Sequence, residues 1–134
     1  MNRRYFLGTA LAAAAASRRV SAADKVNVGI IGVGNQGSGH AVRFASMPDV
    51  NVTYLCDVDQ SRRERVGKMV EKTGAPAPKL VDDMRRILDD PSVDAVVIAT
   101  PDHWHAPATI LACDAGKDVY VEKPASHNVR EGRL

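Results

Sequence analysis

The chain has 134 residues, 45% of them hydrophobic and 25% charged, which suits one globular domain with a mainly aliphatic core. Its formal charge is +2, but the first 23 residues hold four arginines and no acidic residue, so the remaining 14 basic and 16 acidic residues sum to −2. This balance, with no basic stripe along the chain, excludes nucleic acid as an expected partner.

The first 23 residues predict an export signal. Arg3 and Arg4 precede an apolar run over 5–16, and small residues at 21–23 form a cleavage site, so we expect cleavage after residue 22 or 23. The run covers 12 residues, whereas a bilayer span needs about 20, so no stable membrane anchor is expected. The arginine pair followed by Tyr-Phe-Leu resembles a twin-arginine signal, which predicts a periplasmic protein. The alternative, an amphipathic helix on a cytosolic protein, is disfavoured because the alanine run has no polar face.

Cys56 and Cys113 are the two cysteines of the chain. Their wide separation predicts neither a disulfide framework nor a metal site. Both have apolar neighbours, so we expect each to be a small buried side chain.

The first half of the remaining chain alternates between strand and helix patterns. The apolar run 26–31 ends at glycines, which is typical of a buried parallel strand, and residues 51–56 are rich in β-formers. A helix lies between them and ends at Pro48, and the charged segment 60–72 predicts a second helix that stops at Gly74. The expected core-facing residues are Ala41, Val42, Phe44, Ala45 and Met47 in the first helix, and Val66, Met69 and Val70 in the second.

The alternation continues to the end of the chain. We predict at most a short edge strand at 80–81, a central strand over 93–99 and a further strand at 119–121. One helix is capped by Asp82 or Asp83, and another begins at Pro107 and closes at Gly116. The expected core-facing residues are Met84, Ile87 and Leu88 in the first of these helices, and Ile110, Leu111 and Cys113 in the second.

Strict alternation of strands and helices predicts an α/β fold, a doubly wound parallel sheet with right-handed crossovers. Residues 128–131 fit a capping box, which marks the start of a helix, but only three residues follow. We therefore expect the sheet to be truncated after its fifth main strand.

The segment Gly32-Val-Gly34-Asn-Gln-Gly37 fits the G-x-G-x-x-G pattern of dinucleotide-binding Rossmann domains. A plain strand–helix turn is the alternative, but this segment follows a buried strand, opens a helix and precedes an acid by 20 residues. Gly32 permits a tight turn, Gly34 lets a pyrophosphate approach the backbone, and Gly37 lets helix and strand pack closely. The helix N-terminus then offers its free N–H groups to the phosphates.

Asp57 ends the second predicted strand, where a carboxylate can accept hydrogen bonds from the ribose hydroxyls and would repel a 2′-phosphate. This favours NAD over NADP. Asp59 is a second candidate, although a capping role suits it better, and the nearby Arg62 and Arg63 keep NADP open.

Two further loops follow strands at the edge of the sheet where ligands of such folds bind. In the loop 99–105, His105 fits either a structural role or a cofactor contact, Trp104 fits either the nicotinamide side or packing against another domain, and a metal site is weakly indicated. In the other, Lys123 can donate to a substrate hydroxyl or carbonyl oxygen, with a plain surface lysine as the alternative.

The chain resembles the Gfo/Idh/MocA family of oxidoreductases in its leader and in five motifs: Gly32-x-Gly34-x-x-Gly37, Asp57, Thr100-Pro101-x-x-x-His105, Ala115-Gly116-Lys117 and Glu122-Lys123-Pro124. The resemblance covers residues 25–134 and implies a Rossmann domain that is followed in the family by a C-terminal substrate domain. We therefore expect 24–134 to be an incomplete dinucleotide-binding domain, inactive alone and homo-oligomeric when full length. By resemblance, Lys123 is catalytic, and the cofactor-binding residues are Gly32, Gly34, Asn35, Gln36, Gly37, Asp57, Thr100, Pro101, His103, His105 and Glu122.

The resemblance implies an NAD-dependent dehydrogenase that acts on a sugar, inositol or related polyol, with no metal. The alternatives are a glycoside hydrolase relative that uses NAD for transient oxidation, and a non-catalytic nucleotide-binding fragment. Such hydrolases tend to lack the lysine of the Glu-Lys-Pro triplet, so Lys123 argues for the dehydrogenase.

Overall fold

The computed structural model describes residues 25–134, so the predicted export signal lies outside the described residues. Five parallel strands form one sheet in the order β3-β2-β1-β4-β5. The chain leaves β1 first toward β2 and later returns to place β4 on the other side of β1. The strands are β1 (Val26–Ile31), β2 (Val50–Cys56), β3 (Lys79–Val81), β4 (Ala95–Ile98) and β5 (Asp118–Val121).

Four helices connect the strands: α1 (Asn35–Ala45), α2 (Gln60–Glu71), α3 (Arg85–Leu88) and α4 (His105–Asp114). Short 3₁₀ turns precede α4, at Asp102–Trp104, and lie near the C-terminus, at Glu131–Arg133. Together the sheet and its helices confirm the predicted α/β Rossmann-type fold. No helix within residues 25–134 is long and apolar enough to span a bilayer.

The core has two halves, one on each face of the sheet. On the first face, α1 and α2 pack against β1 and β2, with Ile30, Leu55 and Val66 fully buried. On the second face, α3 and α4 pack against β2 and β4, with Ile87 and Ile98 fully buried. Burying each such side chain contributes about 1.5–3 kcal/mol, so aliphatic residues hold both layers to the sheet.

The predicted buried face of α4 is wrong. The helix begins at His105 instead of Pro107, and its buried residues are His105 and the alanines at 106, 108 and 112. Leu111 is 43% exposed and Cys113 is also exposed. The segment is apolar on every side, so its composition does not mark the side that meets the sheet.

The two cysteines therefore lie in different environments. Cys56 is buried at the end of β2, as predicted, and burial together with the neighbouring Asp57 charge raises the pKa of its thiol to about 12. Cys113 contradicts the prediction because it lies on the outer face of α4. Met47 and Met69 are also more exposed than predicted, at 39% and 37%.

The predicted helix starts are partly confirmed. The Asp83 carboxylate accepts a hydrogen bond from the first amide of α3, the Arg85 N–H, at 3.0 Å, although the N-cap position itself is held by Met84. Asn128 accepts from the Glu131 N–H at 3.0 Å, as a capping box requires. Only a 3₁₀ turn follows at Glu131–Arg133, not the predicted α-helix.

The closest backbone approach at the start of α1 is between Gly37 and Gly32. A Cβ on Gly37 would lie 1.8 Å from the Gly32 carbonyl oxygen, which is part of the backbone and cannot move aside cheaply. Gly39 lies on the same helix, is exposed and has no atom within 4 Å of an added Cβ. The two glycines thus offer a matched pair for testing how α1 is seated.

We predict that Gly37→Ala destabilises the chain by more than about 3 kcal/mol, because the new methyl group forces α1 away from β1. Gly39→Ala should instead be neutral or stabilise by up to about 1 kcal/mol, because alanine favours the helix and meets no obstacle. Urea unfolding followed by far-UV circular dichroism measures both changes. Equal stabilities for the two variants would contradict this account of the packing.

Candidate functional site

The glycine turn between β1 and α1 is closed on one side and open on another. Gly32 has φ +85°, and a Cβ there would lie 2.7 Å from the Thr100 backbone nitrogen. A Cβ on Gly34 would meet only the Arg62 guanidinium, at 3.7 Å. The backbone around Gly34 is therefore the part of the turn that another molecule can approach, as the sequence pattern predicts.

The N-terminus of α1 lies at this open side. No side chain caps the helix, whose N-terminal flanking residue is Gly34, and Asn35 and Gln36 are exposed. Uncapped N–H groups and the positive end of the helix dipole together favour an anionic group. Gly34 and Asn35 line a cleft of about 540 Å³ with Asp59, Ser61, Arg62 and Arg65, so there is room for a phosphate-bearing ligand.

Asp57 lies between the glycine turn and α2. One carboxylate oxygen accepts from the Val33 N–H at 2.9 Å and the other from the Asp59 N–H at 3.0 Å. Each oxygen can accept more than one hydrogen bond, so the carboxylate keeps capacity for ribose hydroxyls. Its contact with Val33 also fixes it beside the turn.

Asp59 caps α2, as the sequence favours over a role in binding the ribose. Its carboxylate accepts from the Ser61 and Arg62 N–H groups at 2.9 and 3.3 Å. Hydrogen bonds from the Ser61 hydroxyl and from these amides lower its pKa. With these bonds occupied, Asp57 is the better placed carboxylate for a ribose.

Arg62 and Arg63, the two arginines that left NADP as an alternative cofactor, point in different directions. Arg63 donates to the Asp57 carbonyl oxygen, so its guanidinium is used by the protein backbone. Arg62 pairs with Asp59 at 3.4 Å and lies over Gly34, at the cleft. Of these two arginines, Arg62 is therefore the one that a 2′-phosphate could reach.

Thr100 lies two residues after the end of β4 and against the glycine turn. Its hydroxyl oxygen is buried and has no hydrogen-bond partner among residues 25–134. A buried hydroxyl without a partner costs about 1–3 kcal/mol, so a ligand atom at this position would be stabilising. The orphaned hydroxyl and the open Gly34 backbone both fit a dinucleotide in this crevice.

The remaining residues of the Thr100 loop are exposed up to the start of α4. Pro101, His103 and Trp104 all face outward, with Trp104 48% exposed. Both predicted roles of Trp104 remain open because an exposed ring can meet either a ligand or another domain.

His105 is 2% exposed, and both ring nitrogens face backbone carbonyl oxygens. Nε2 lies 2.9 Å from the Thr100 oxygen and Nδ1 lies 2.6 Å from the Pro124 oxygen. No ring nitrogen is left for a ligand. This geometry favours the structural alternative for His105, which connects the loops after β4 and β5.

The metal alternative for the 99–105 loop gains no support. Within residues 25–134, no group of three or more His, Cys, Asp or Glu side chains is arranged to hold a metal ion. His103 lies 3.9 Å from the Asp102 carboxylate, and that carboxylate lies 3.5 Å from His127.

Glu122 and Lys123 follow β5 and differ in their contacts. The Glu122 carboxylate lies 2.6 Å from His40 Nε2, and this hydrogen bond lowers its pKa. Lys123 is exposed, and its amine makes no hydrogen bond or ion pair with the described part of the chain. The Lys123–Pro124 peptide bond is cis. An available cation therefore follows directly after a fixed carboxylate.

His40 is the residue of the site that sequence reasoning missed. It lies on α1 and is largely buried, with 12% of its side chain exposed. The available signal was helical spacing: His40 follows Gly37 by three positions and Phe44 follows it by four, so all three share the sheet-facing side.

Similarity to known proteins agrees with this site. A glycosyl hydrolase family 109 protein of Saccharopolyspora erythraea is 39% identical over 112 residues, which are 81% of this chain and 24% of that protein. Myo-inositol dehydrogenase of Lactobacillus casei, in complex with NAD(H) and myo-inositol, matches with TM-score 0.73 and 26% identity over 81% of this chain and 31% of that one. Levoglucosan dehydrogenase, in complex with NADH, matches with TM-score 0.71 and 30% identity over 82% and 30%.

The chain thus spans about a quarter to a third of the length of these relatives. Residues 26–133 match the model of the Gfo/Idh/MocA oxidoreductases, described as a family with an NAD-binding Rossmann fold. That match covers the glycine turn, Asp57 and the Glu-Lys-Pro triplet. The chain belongs to the Gfo/Idh/MocA family of oxidoreductases and contains its NAD-binding Rossmann domain.

Proposed function

We propose that this chain serves a dehydrogenase that transfers hydride between NAD and a sugar, inositol or related polyol. The observation that carries the proposal is the exposed Lys123, which has no partner among residues 25–134, at the carboxyl end of β5, on the same edge of the sheet as the glycine turn. The similarity to myo-inositol dehydrogenase and levoglucosan dehydrogenase supports this substrate class.

Lys123 has the chemistry that such a reaction needs. Bound NAD supplies the hydride acceptor. The Lys123 ammonium donates a hydrogen bond to the substrate oxygen and stabilises the negative charge that develops there. The group that takes the hydroxyl proton is expected from a further domain of the full-length protein, as the family resemblance implies.

An NAD-dependent glycoside hydrolase is the second candidate. The curated relative with 39% identity is named as a glycosyl hydrolase family 109 protein, whereas the two dehydrogenases are 26% and 30% identical. Against this stands Lys123, which hydrolases of this kind tend to lack. A non-catalytic nucleotide-binding role would leave both activities absent.

We predict that full-length protein oxidises a polyol with NAD and that Lys123→Ala lowers kcat by about a hundredfold or more, because the substrate oxygen loses its donor. The affinity for NAD should change little because Lys123 serves the substrate side. Steady-state assays over a polyol panel measure the first effect and calorimetry the second. Lys68→Ala, which removes an exposed amine from α2, is the matched control and should leave both unchanged.

The same preparation distinguishes the candidates. Cleavage of a chromogenic glycoside without net polyol oxidation would favour the hydrolase. If Lys123→Ala kept full turnover, Lys123 would be a plain surface lysine with no catalytic role. Absence of both activities, with NAD bound, would favour the non-catalytic role.

We also propose that the site prefers NAD to NADP. A 2′-phosphate carries a charge near −2 and would face Asp57, and like charges in contact cost several kcal/mol. Asp57→Ala should therefore raise the ratio of NADP to NAD affinity by at least about tenfold. Arg62 at the cleft would then be available to pair with the phosphate.

Asp49→Ala is the control for this prediction, because it removes the same charge just before the opposite end of β2. It should leave the ratio of affinities unchanged. Fluorescence titration of Trp104, the only tryptophan, measures both cofactors. Equal affinities for NAD and NADP in the parent chain would contradict the assigned role of Asp57.

Export to the periplasm by the twin-arginine route is likewise a proposal. Arg3 and Arg4 lead a short apolar run, which is the pattern that this route recognises. We predict that a reporter fused after residue 23 reaches the periplasm and that changing both arginines to lysine blocks export. Changing Arg18 and Arg19 to lysine is the control, because that pair lies beyond the apolar run. Unimpaired export of the Arg3–Arg4 variant would show that another route is used.

A further inference from the structure

Lys123 lies between two residues that are each held by a histidine. On one side, His40 Nε2 lies 2.6 Å from a carboxylate oxygen of Glu122. On the other, His105 Nδ1 lies 2.6 Å from the carbonyl oxygen of Pro124. The segment that carries the candidate catalytic amine is therefore fastened immediately before and immediately after it.

The two histidines come from opposite faces of the sheet. His40 lies on α1, which packs with α2 on one face, and His105 begins α4, which packs with α3 on the other. The segment after β5 is thus fixed by both helical layers. Neither layer could shift relative to the sheet without moving a neighbour of Lys123.

The His40–Glu122 contact is oriented and partly shielded from water. Only 12% of the His40 side chain and 19% of the Glu122 side chain are exposed. The Tyr120 ring meets the His40 ring edge-on, with centroids 5.4 Å apart. A glutamate carboxylate is ionised at neutral pH and can only accept, so the hydrogen of this contact lies on His40 Nε2.

The His105 contacts extend this connection to the cofactor crevice. Its second ring nitrogen lies 2.9 Å from the Thr100 carbonyl oxygen, and Thr100 packs against the glycine turn. His40 belongs to the helix whose N-terminus opens at that same turn. Both histidines therefore lie between the segment that carries Lys123 and the part of the site that would hold the dinucleotide phosphates. His105 donates to both carbonyl oxygens in its imidazolium form and to one of them in its neutral form, because a neutral ring has one N–H.

We propose that His40 and His105 are positioning residues that together set the place of Lys123 relative to the bound cofactor. Neither residue is required to touch substrate or cofactor. Their effect is on the backbone from which the lysine extends, and a misplacement of about 1 Å can cost a hundredfold in rate. The proposal rests on the proposed dehydrogenase function.

In full-length protein, His40→Ala should lower kcat about tenfold or more and leave the Kd for NAD within about twofold. His40→Gln should restore most of the rate because its terminal amide can take the place of Nε2, whereas the shorter Asn should not. Variants that merely destabilised the fold would not give this order of rates, in which Gln stays near the parent and Ala and Asn are slower. Equal rates for the Ala and Gln variants would overturn the proposal.

His127→Ala is the matched control, since it removes another histidine–carboxylate contact, with Asp102 at 3.5 Å, outside the pair under test. It should leave kcat unchanged. Glu122→Ala should lower kcat by the same factor as His40→Ala, and the double variant by no more, because both changes remove one contact. Multiplying effects would show that the two residues act separately.

Hydrogen–deuterium exchange separates this inference from the proposed function. In the 134-residue chain, His40→Ala should speed exchange of the Glu122 amide, which donates to the Ile98 carbonyl oxygen at 2.9 Å, by about tenfold, while His40→Gln and His127→Ala stay near the parent rate. His105→Asn should have a similar effect to His40→Ala, and because His105 is buried its folding is checked by circular dichroism. Unchanged exchange in His40→Ala would overturn the positioning role. The expected exchange pattern without dehydrogenase activity would support the positioning role and refute the proposed function.

Discussion

The approach of Gly37 to the Gly32 carbonyl is the contact on which the rest of the site depends. No side chain fits between them, since even a Cβ on Gly37 would lie 1.8 Å from that oxygen. The close approach of the two glycines places the first turn of α1 against the end of β1. The N–H groups of that turn are then directed at open space. The same approach also fixes the position of His40, one helical turn further along, against the end of β5.

A second strand is tied to the same turn by a carboxylate. The Asp57 side chain accepts from the Val33 N–H at 2.9 Å, so the end of β2 and the glycine turn move together. The contact occupies only part of the carboxylate, and its remaining lone pairs can still accept hydrogen bonds from a ribose. One residue thus serves the fold and the candidate cofactor site.

The sheet and the roles of the glycines could be predicted from the sequence because each rests on a local requirement. Alternation of elements implies parallel strands, and a glycine is needed wherever a Cβ would collide with backbone. The inward side of α4 could not be predicted, because Ile110, Leu111 and Cys113 are no less apolar than the alanines that are buried. The exposure of Cys113 follows from helix orientation, which is a tertiary property.

The histidine contacts were beyond sequence reasoning for a different reason. His40 and Glu122 are 82 positions apart, and His105 contacts carbonyl oxygens, which every residue possesses. Such partners become visible only when the sheet order brings the ends of β1, β4 and β5 to one edge. Prediction from residue types therefore identified Lys123 but gave no account of how it is held.

The contrast between Lys123 and its neighbours has a thermodynamic consequence. A lysine side chain carries about 2 kcal/mol of rotamer entropy, and fixing the backbone of a residue costs a further 1–2 kcal/mol or so. In this chain, folding already fixes the backbone on both sides of Lys123 through the contacts of Glu122 and Pro124, so that entropy cost does not fall on substrate binding. A substrate then has to order only the side chain, so more of its binding energy remains for the transition state. Two features of the site therefore complement each other. The Lys123 amine has no partner in the described structure, and the backbone is fixed on both sides of it.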